Sequence, residues 1–152
     1  MKTQLFSYIL FLGLPICLGA LRVELDNELD PEAKILTVTS LKRPKVCTQH
    51  AEPGDFLKVH YTGHFKDENG DVFDSSKGRG HPFEFVLGKG QVIQGYELAV
   101  PGMCLGETRG FYVPSHLAYG EQGYPPTIPP KSDLYFVVDL VYIDRSNNPD
   151  LK

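Results

Sequence analysis

Short apolar runs separated by Gly- and Pro-rich turns recur along this chain, and only one of them follows a helical period. β-branched residues crowd positions 35–41, and 56–61 alternates Phe, Lys and His against Leu, Val and Tyr, the period of a half-buried strand. Pro53-Gly54-Asp55 turns the chain into the second of these, and Asn69-Gly70 supplies the positive φ needed at a hairpin tip over 67–71. Positions 83–87, 108–113 and 134–143 read as further strands, the last too apolar to keep one face wet throughout. Gly63 reads as the end of the strand that carries Tyr61. Between Gly90 and Pro101, Val92, Ile93, Tyr96 and Val100 fall near a helical period, enough for about two turns. The result is an α+β fold: a curled, mostly antiparallel β-sheet, a half-barrel, wrapped over one short α-helix. The stretch between Val113 and Leu134 is dense in Gly, Pro and Tyr, and a loop of that length inside a compact domain is usually functional.

The N-terminus changes the cysteine arithmetic. Lys2 precedes an apolar run from Tyr8 to Leu18, and Gly19 or Ala20 offers the small residue a signal peptidase requires. The run is short and interrupted by Pro15, so cleavage is expected over a membrane span, with a soluble mature chain. Cys17 leaves with the signal, and Cys47 and Cys104 remain as an even pair in an oxidising route, for which a disulfide is expected. The mature chain of about 130 residues fits one domain. Its net charge of -4 becomes about -5 without Lys2, which leaves no basic footprint for nucleic acid. Glu24, Asp26, Glu28, Asp30 and Glu32 form an acidic leader, read as solvated.

Common catalytic and metal motifs do not fit. Gly88-Lys89-Gly90 lacks the phosphate-loop spacing, and the segment from Asp67 to Asp71 has its glycine too early for a calcium loop, with Gly78 where the bidentate Glu belongs. His60 and His64 have no third metal ligand nearby in sequence, and Ser115-His116 adjoins no nucleophile elbow. Neither a metal nor another cofactor is expected.

What remains is an ordered set of motifs: VHYTG, FDSS, PFEFVLGKGQVIQGYE, PGMCLGE, AYGEQGYPPTIPP and LYFVVDLV. In order and spacing they resemble the FKBP-type, tacrolimus-binding peptidyl-prolyl cis-trans isomerases, over about positions 47–144. Secretory members of that family are the most similar, since they also combine a signal peptide with cysteines before the VHYTG strand and within the PGMCLGE turn. The resemblance divides the chain into a signal peptide over 1–20, an acidic leader and first strand over 21–45, the isomerase domain over 46–145 and a tail over 146–152. It implies a pocket walled by Tyr61, Phe73, Phe83 and Phe136 and floored by Tyr96. Val92 and Ile93 would open the helix, the Ile93 amide donating to one carbonyl and the Tyr119 hydroxyl to a second. Ile128 would close over the ligand from the loop tip, and Asp74, oriented by Tyr61 and Arg79, would face the reacting carbonyl. Asp74, Tyr119, Phe83 and Ile93 are the catalytic candidates; the others bind substrate.

The implied chemistry suits an apolar box. Amide rotation is opposed by roughly 18–20 kcal/mol of conjugation, and prolyl bonds exchange over tens of seconds. Moving to milliseconds removes about 5–6 kcal/mol from the barrier, within reach of shape, desolvation and one or two hydrogen bonds. Three tyrosines around one loop suggest a polar-tipped cavity rather than plain core. Tyr96 stands where the family usually has Trp, which implies altered activity, and Gln91, Tyr124 and Thr127 change the rim. The implied partners are proline-containing clients and macrolides such as tacrolimus and rapamycin, with the protein a monomer in the endoplasmic reticulum lumen or secreted. The last five residues, Asn148 to Lys152, are not a Lys-Asp-Glu-Leu type retrieval signal. A second reading is a proline-binding module that holds a partner without turnover.

Overall fold

The computed structural model describes residues 34–146. The expected signal peptide, nearly all of the acidic leader and the end of the tail lie outside the described residues. No described helix is long and apolar enough to cross a membrane.

Six strands form one antiparallel sheet that is not closed. They are β1 (Thr37–Lys42), β2 (Phe56–Phe65), β3 (Val72–Ser75), β4 (Phe83–Val86), β5 (Thr108–Val113) and β6 (Leu134–Asp144), with one helix, α1 (Gln94–Ala99), between β4 and β5. The order across the sheet is β1-β5-β6-β2-β3, and β4 also pairs with β2. β2 is long enough to serve both: its first half pairs with β4 and its second half with β3.

Alternation fixes which side chains reach the core. In β2, Leu57 and Val59 are fully buried while Lys58 and His60 face outward; in β6, Leu134, Phe136, Val138 and Leu140 point inward. Phe111 and Val113 of β5 complete the concave face on which α1 rests. Register sets Phe136 opposite Gly63 on one side and Phe111 on the other.

Gly63 is the first departure from the sequence expectation. It does not end β2, which continues to Phe65. A Cβ there would stand 2.5 Å from Phe73 Cζ and 3.0 Å from Phe136 Cε1, so the glycine makes room for two aromatic rings. β3 is a second departure, since Val72-Phe73-Asp74-Ser75 has no sequence signature of a strand and becomes extended by pairing with β2 through Thr62↔Ser75 and Gly63↔Asp74. The first strand starts at Thr37 instead of position 35, and it is exposed along its length because it pairs with β5 alone. The helix begins later than expected, at Gln94, because Ile93 holds an extended ψ of 152°.

Two devices hold α1 in place. Gly95 lies against β5, where an added Cβ would fall 2.4 Å from Val113 Cγ1. At the other end, Arg109 Nη1 donates to the carbonyls of Ala99 (2.7 Å) and Pro101 (3.2 Å), groups the helix end leaves unsatisfied. Its Nε is held at 2.9 Å by Glu107, a fully buried carboxylate that also accepts the Cys104 N–H at 2.9 Å. Cys104 is bonded to Cys47, their Cα atoms 5.5 Å apart across 57 residues of sequence. Closing a loop of that length restricts the unfolded chain by about 4 kcal/mol in the chain-entropy model.

Two outcomes are expected. Gly95→Ala forces α1 away from β5 and costs about 1–3 kcal/mol, read as a lower urea midpoint. Reduction of the disulfide costs about 2–4 kcal/mol on the same measurement.

Candidate active site

The concave face, α1 and the loop after β5 enclose a cavity of about 350 Å³, the size of a small-molecule or single-side-chain site. Its lining includes Tyr61, Phe73, Asp74, Phe83, Val92, Ile93, Tyr96, Tyr119 and Phe136, together with Gly90 and Gln91. Nine of the eleven residues singled out from sequence therefore meet around one space. Two do not line it. Arg79 reaches its rim through hydrogen bonds, and Ile128 is 4 % exposed, packed into the core and paired through its backbone with Tyr124.

The walls are aromatic rings set edge to face, the arrangement their quadrupoles favour. Tyr61 and Phe83 meet with centroids 5.8 Å apart at 78°, and Phe73 and Phe136 at 5.7 Å and 87°. Tyr96 stands at 79° to Phe136, 5.0 Å away, and at 84° to Phe111, 5.1 Å away. Tyr96 is 5 % exposed, whereas the other tyrosines and Phe73 and Phe83 stay partly open, so Tyr96 forms the bottom of the cavity. Each ring comes from a different element: β2, β3, β4, α1 and β6.

The polar groups lie at the mouth. The Tyr61 hydroxyl donates to Asp74 Oδ2 in a short hydrogen bond. Arg79 donates through Nη1 to Asp74 Oδ1 at 2.5 Å and through Nη2 to the Tyr61 oxygen at 2.7 Å. Burial pushes the Asp74 carboxyl up, but the bonds from Tyr61 and Arg79 outweigh it and hold the group below the usual aspartate value. Burial, and then the bond to Asp74, raise the Tyr61 phenol. Burial also raises Tyr119, whose hydroxyl bonds to no described residue. The Ile93 N–H likewise meets no acceptor among the described residues, because Ile93 is extended and the helical bonds begin with its carbonyl, which accepts from Tyr96 at 2.9 Å. A free amide and a free hydroxyl thus border an otherwise apolar box.

Glu97 is a contributor that sequence reading missed, and Gln91, read there only as a rim residue, also holds a loop. The Glu97 carboxylate accepts the N–H groups of Gly88 (2.6 Å) and Gly90 (2.9 Å), tying the loop before Val92 to α1. Gln91 Oε1 accepts the Val86 N–H at 2.8 Å and so fixes the same loop to β4. The only sequence signal for Glu97 was its place on the helix that follows Gly88-Lys89-Gly90. His60 and His64 are accounted for locally, bonding to Ser76 Oγ and the Gly70 carbonyl.

A half-open sheet over one short helix, with an aromatic cavity between them, marks out the rotamase class. Residues 47–141 match the family of FKBP-type peptidyl-prolyl cis-trans isomerases, and the chain belongs to that family. It is 53 % identical over 108 residues to the peptidyl-prolyl cis-trans isomerase FPR2 of Saccharomyces cerevisiae, covering 70 % of this chain and 79 % of that one. It is 51 % identical over 107 residues to the FK506-binding protein 2 of Yarrowia lipolytica, covering 70 % and 73 %. Over a longer span, 132 residues, it is 44 % identical to the peptidyl-prolyl cis-trans isomerase FKBP2 of Mus musculus, covering 87 % and 91 %. Its activity is peptidyl-prolyl cis-trans isomerisation, and its substrates are proline-containing polypeptides.

Asp74 lends stability as the carboxylate, so that contribution is complete above pH 3.8 and is lost as pH falls through its lower folded value. The difference in thermal midpoint between wild type and Asp74→Asn is therefore expected to stay constant above pH 3.8 and to close only below it, as read by calorimetry across pH.

Proposed function

We propose that the cavity takes the prolyl ring of secretory-pathway clients and lowers the barrier to rotation about the X-Pro bond through desolvation and two hydrogen bonds. The observation that carries this reading is the pairing of an aromatic box with an unused Ile93 N–H and an unused Tyr119 hydroxyl at its mouth. The planar amide is stabilised by charge separation between nitrogen and oxygen, and water supports that separation. Twisting removes it, so an environment poor in water favours the twisted state over the planar one.

Each polar group then has a task. The Ile93 N–H holds the carbonyl on one side of the rotating bond, and the Tyr119 hydroxyl takes the other. Asp74, fixed by Tyr61 and Arg79, presents a carboxylate edge to the carbonyl carbon, which becomes more electrophilic as conjugation is lost. Phe83 and Phe136 exclude water, and Phe73, Val92 and Tyr96 shape the ring's seat. Ile128 acts indirectly, by fixing the loop that carries Tyr119. No proton is transferred and no bond is broken. The same box is the expected seat of macrolides such as tacrolimus and rapamycin. The Cys47–Cys104 bond supports a secretory-pathway address, since such bonds persist in oxidising compartments. The protein acts as a monomer.

The test is the rate of cis-to-trans exchange in a short Leu-Pro peptide. Wild type is expected to accelerate it and tacrolimus to block it. Tyr119→Phe removes one neutral hydrogen bond and lowers kcat/KM by about 2- to 10-fold. Asp74→Ala strands Arg79 and Tyr61 and lowers it by about 10- to 100-fold. A folded wild type that binds tacrolimus but gives no acceleration would leave a proline-binding module in place of the enzyme for that substrate.

A further inference from the structure

The bottom of the cavity carries a polar group that no described residue answers. Tyr96 is 5 % exposed, and its ring is caged by Phe85, Phe111 and Phe136, yet its hydroxyl bonds to no described residue. Among the described residues no fully buried side-chain oxygen lacks a partner, so the unpartnered Tyr96 hydroxyl keeps access to solvent, and since Tyr96 lines the cavity it opens there. A buried phenol ordinarily has a partner. Here the phenol oxygen is open to the cavity, so its partner is solvent until a ligand replaces it.

Chain continuity decides which ligand atom arrives there. A prolyl residue within a polypeptide must keep its two flanking amides at the mouth, beside the Ile93 N–H and the Tyr119 hydroxyl, so that the chain can leave in both directions. The ring carbon farthest from the backbone, Cγ, then goes deepest and faces Tyr96. An unsubstituted ring covers the phenol without replacing its hydrogen bond to water. A hydroxyl on Cγ replaces it, and a neutral phenol can both donate to and accept from that group.

We propose that Tyr96 makes this cavity selective for 4-hydroxyprolyl residues, the Tyr96 hydroxyl hydrogen-bonding the ring hydroxyl at the cavity floor. The proposal rests on the reading above that the prolyl ring enters the cavity. Discrimination arises because the site's own polar group is left unpaired by the analogue that lacks the hydroxyl. Burial keeps the phenol protonated well above its ordinary titration range, so the pairing does not vary across neutral pH.

The experiment uses three peptides that differ only in the ring: Leu-Pro, Leu-(4R)-hydroxyproline and Leu-(4R)-fluoroproline. The fluorinated ring keeps a similar pucker without donating a hydrogen bond. Exchange is followed by NMR with wild type and Tyr96→Phe, and dissociation constants for the same peptides are obtained by titration. The hydroxyprolyl-to-prolyl ratio of kcat/KM is expected to fall by about 5- to 10-fold in Tyr96→Phe, with the change carried by KM and mirrored in the dissociation constants. The fluoroprolyl peptide is expected to follow the prolyl one in both proteins. An unchanged ratio, or a fluoroprolyl peptide that behaves like the hydroxyprolyl one, overturns the proposal. If no peptide is turned over, the isomerase reading fails, and the binding ratio alone decides whether Tyr96 reads the ring hydroxyl.

Discussion

The site depends on one close approach, that of Gly95 to Val113. A helix of six residues has too few internal hydrogen bonds to stand alone, and its position is set by the sheet it touches. Without a side chain at position 95, the backbone of α1 settles directly onto β5, and Tyr96 on the next position reaches the cage formed by Phe85, Phe111 and Phe136. The depth of the cavity follows from that contact. The Arg109 fork at the helix C-terminus fixes the remaining freedom, since it binds the last carbonyls and is itself held by buried Glu107.

Two kinds of surface divide the work around the cavity. The wall rings of Tyr61, Phe73, Phe83 and Phe136 are placed by strand alternation and register, and the floor ring of Tyr96 by the seat of α1 on β5. The mouth is organised by charge: Asp74, Arg79 and Tyr61 bond to one another, while the loop carrying Val92 and Ile93 is tied down by Glu97 and Gln91. An aromatic interior with paired charges at its edge is built without burying an unpaired ion. Such a site has no need of a titrating group, and the held-down Asp74 and held-up Tyr61 agree with that.

Much of this was legible in the sequence, and the gaps have physical causes. β2 and β6 announce themselves through alternation and β-branched content, and the helix through four apolar positions near a helical period. β3 was silent because Phe73-Asp74-Ser75 acquires its extended shape from pairing with β2. Gly63 was read as a terminator because glycine usually is one, while the cause of its presence, the Phe73 and Phe136 rings, lies far away in sequence. The aromatic members of the cavity were recoverable by resemblance to a family. The task of Glu97 was not, nor that of Gln91 beyond its place at the rim, because each acts on backbone amides that only the folded chain brings near it. Ile128 was expected to close over the ligand from the loop tip, and its burial in the core was not legible because long-range packing sets it.

The disulfide also decides how the molecule responds to force. β1 is an edge strand paired with β5 alone, so tension on the N-terminal side breaks the Lys34–Asp133 ion pair and then peels β1 away one hydrogen-bond pair at a time. Peeling reaches Cys47 and stops, because the covalent bond passes the load to Cys104, at the turn between α1 and β5. Everything that surrounds the cavity lies beyond that stop. The bond therefore works as a mechanical fuse, separating a segment that can be pulled and released from a site that keeps its shape.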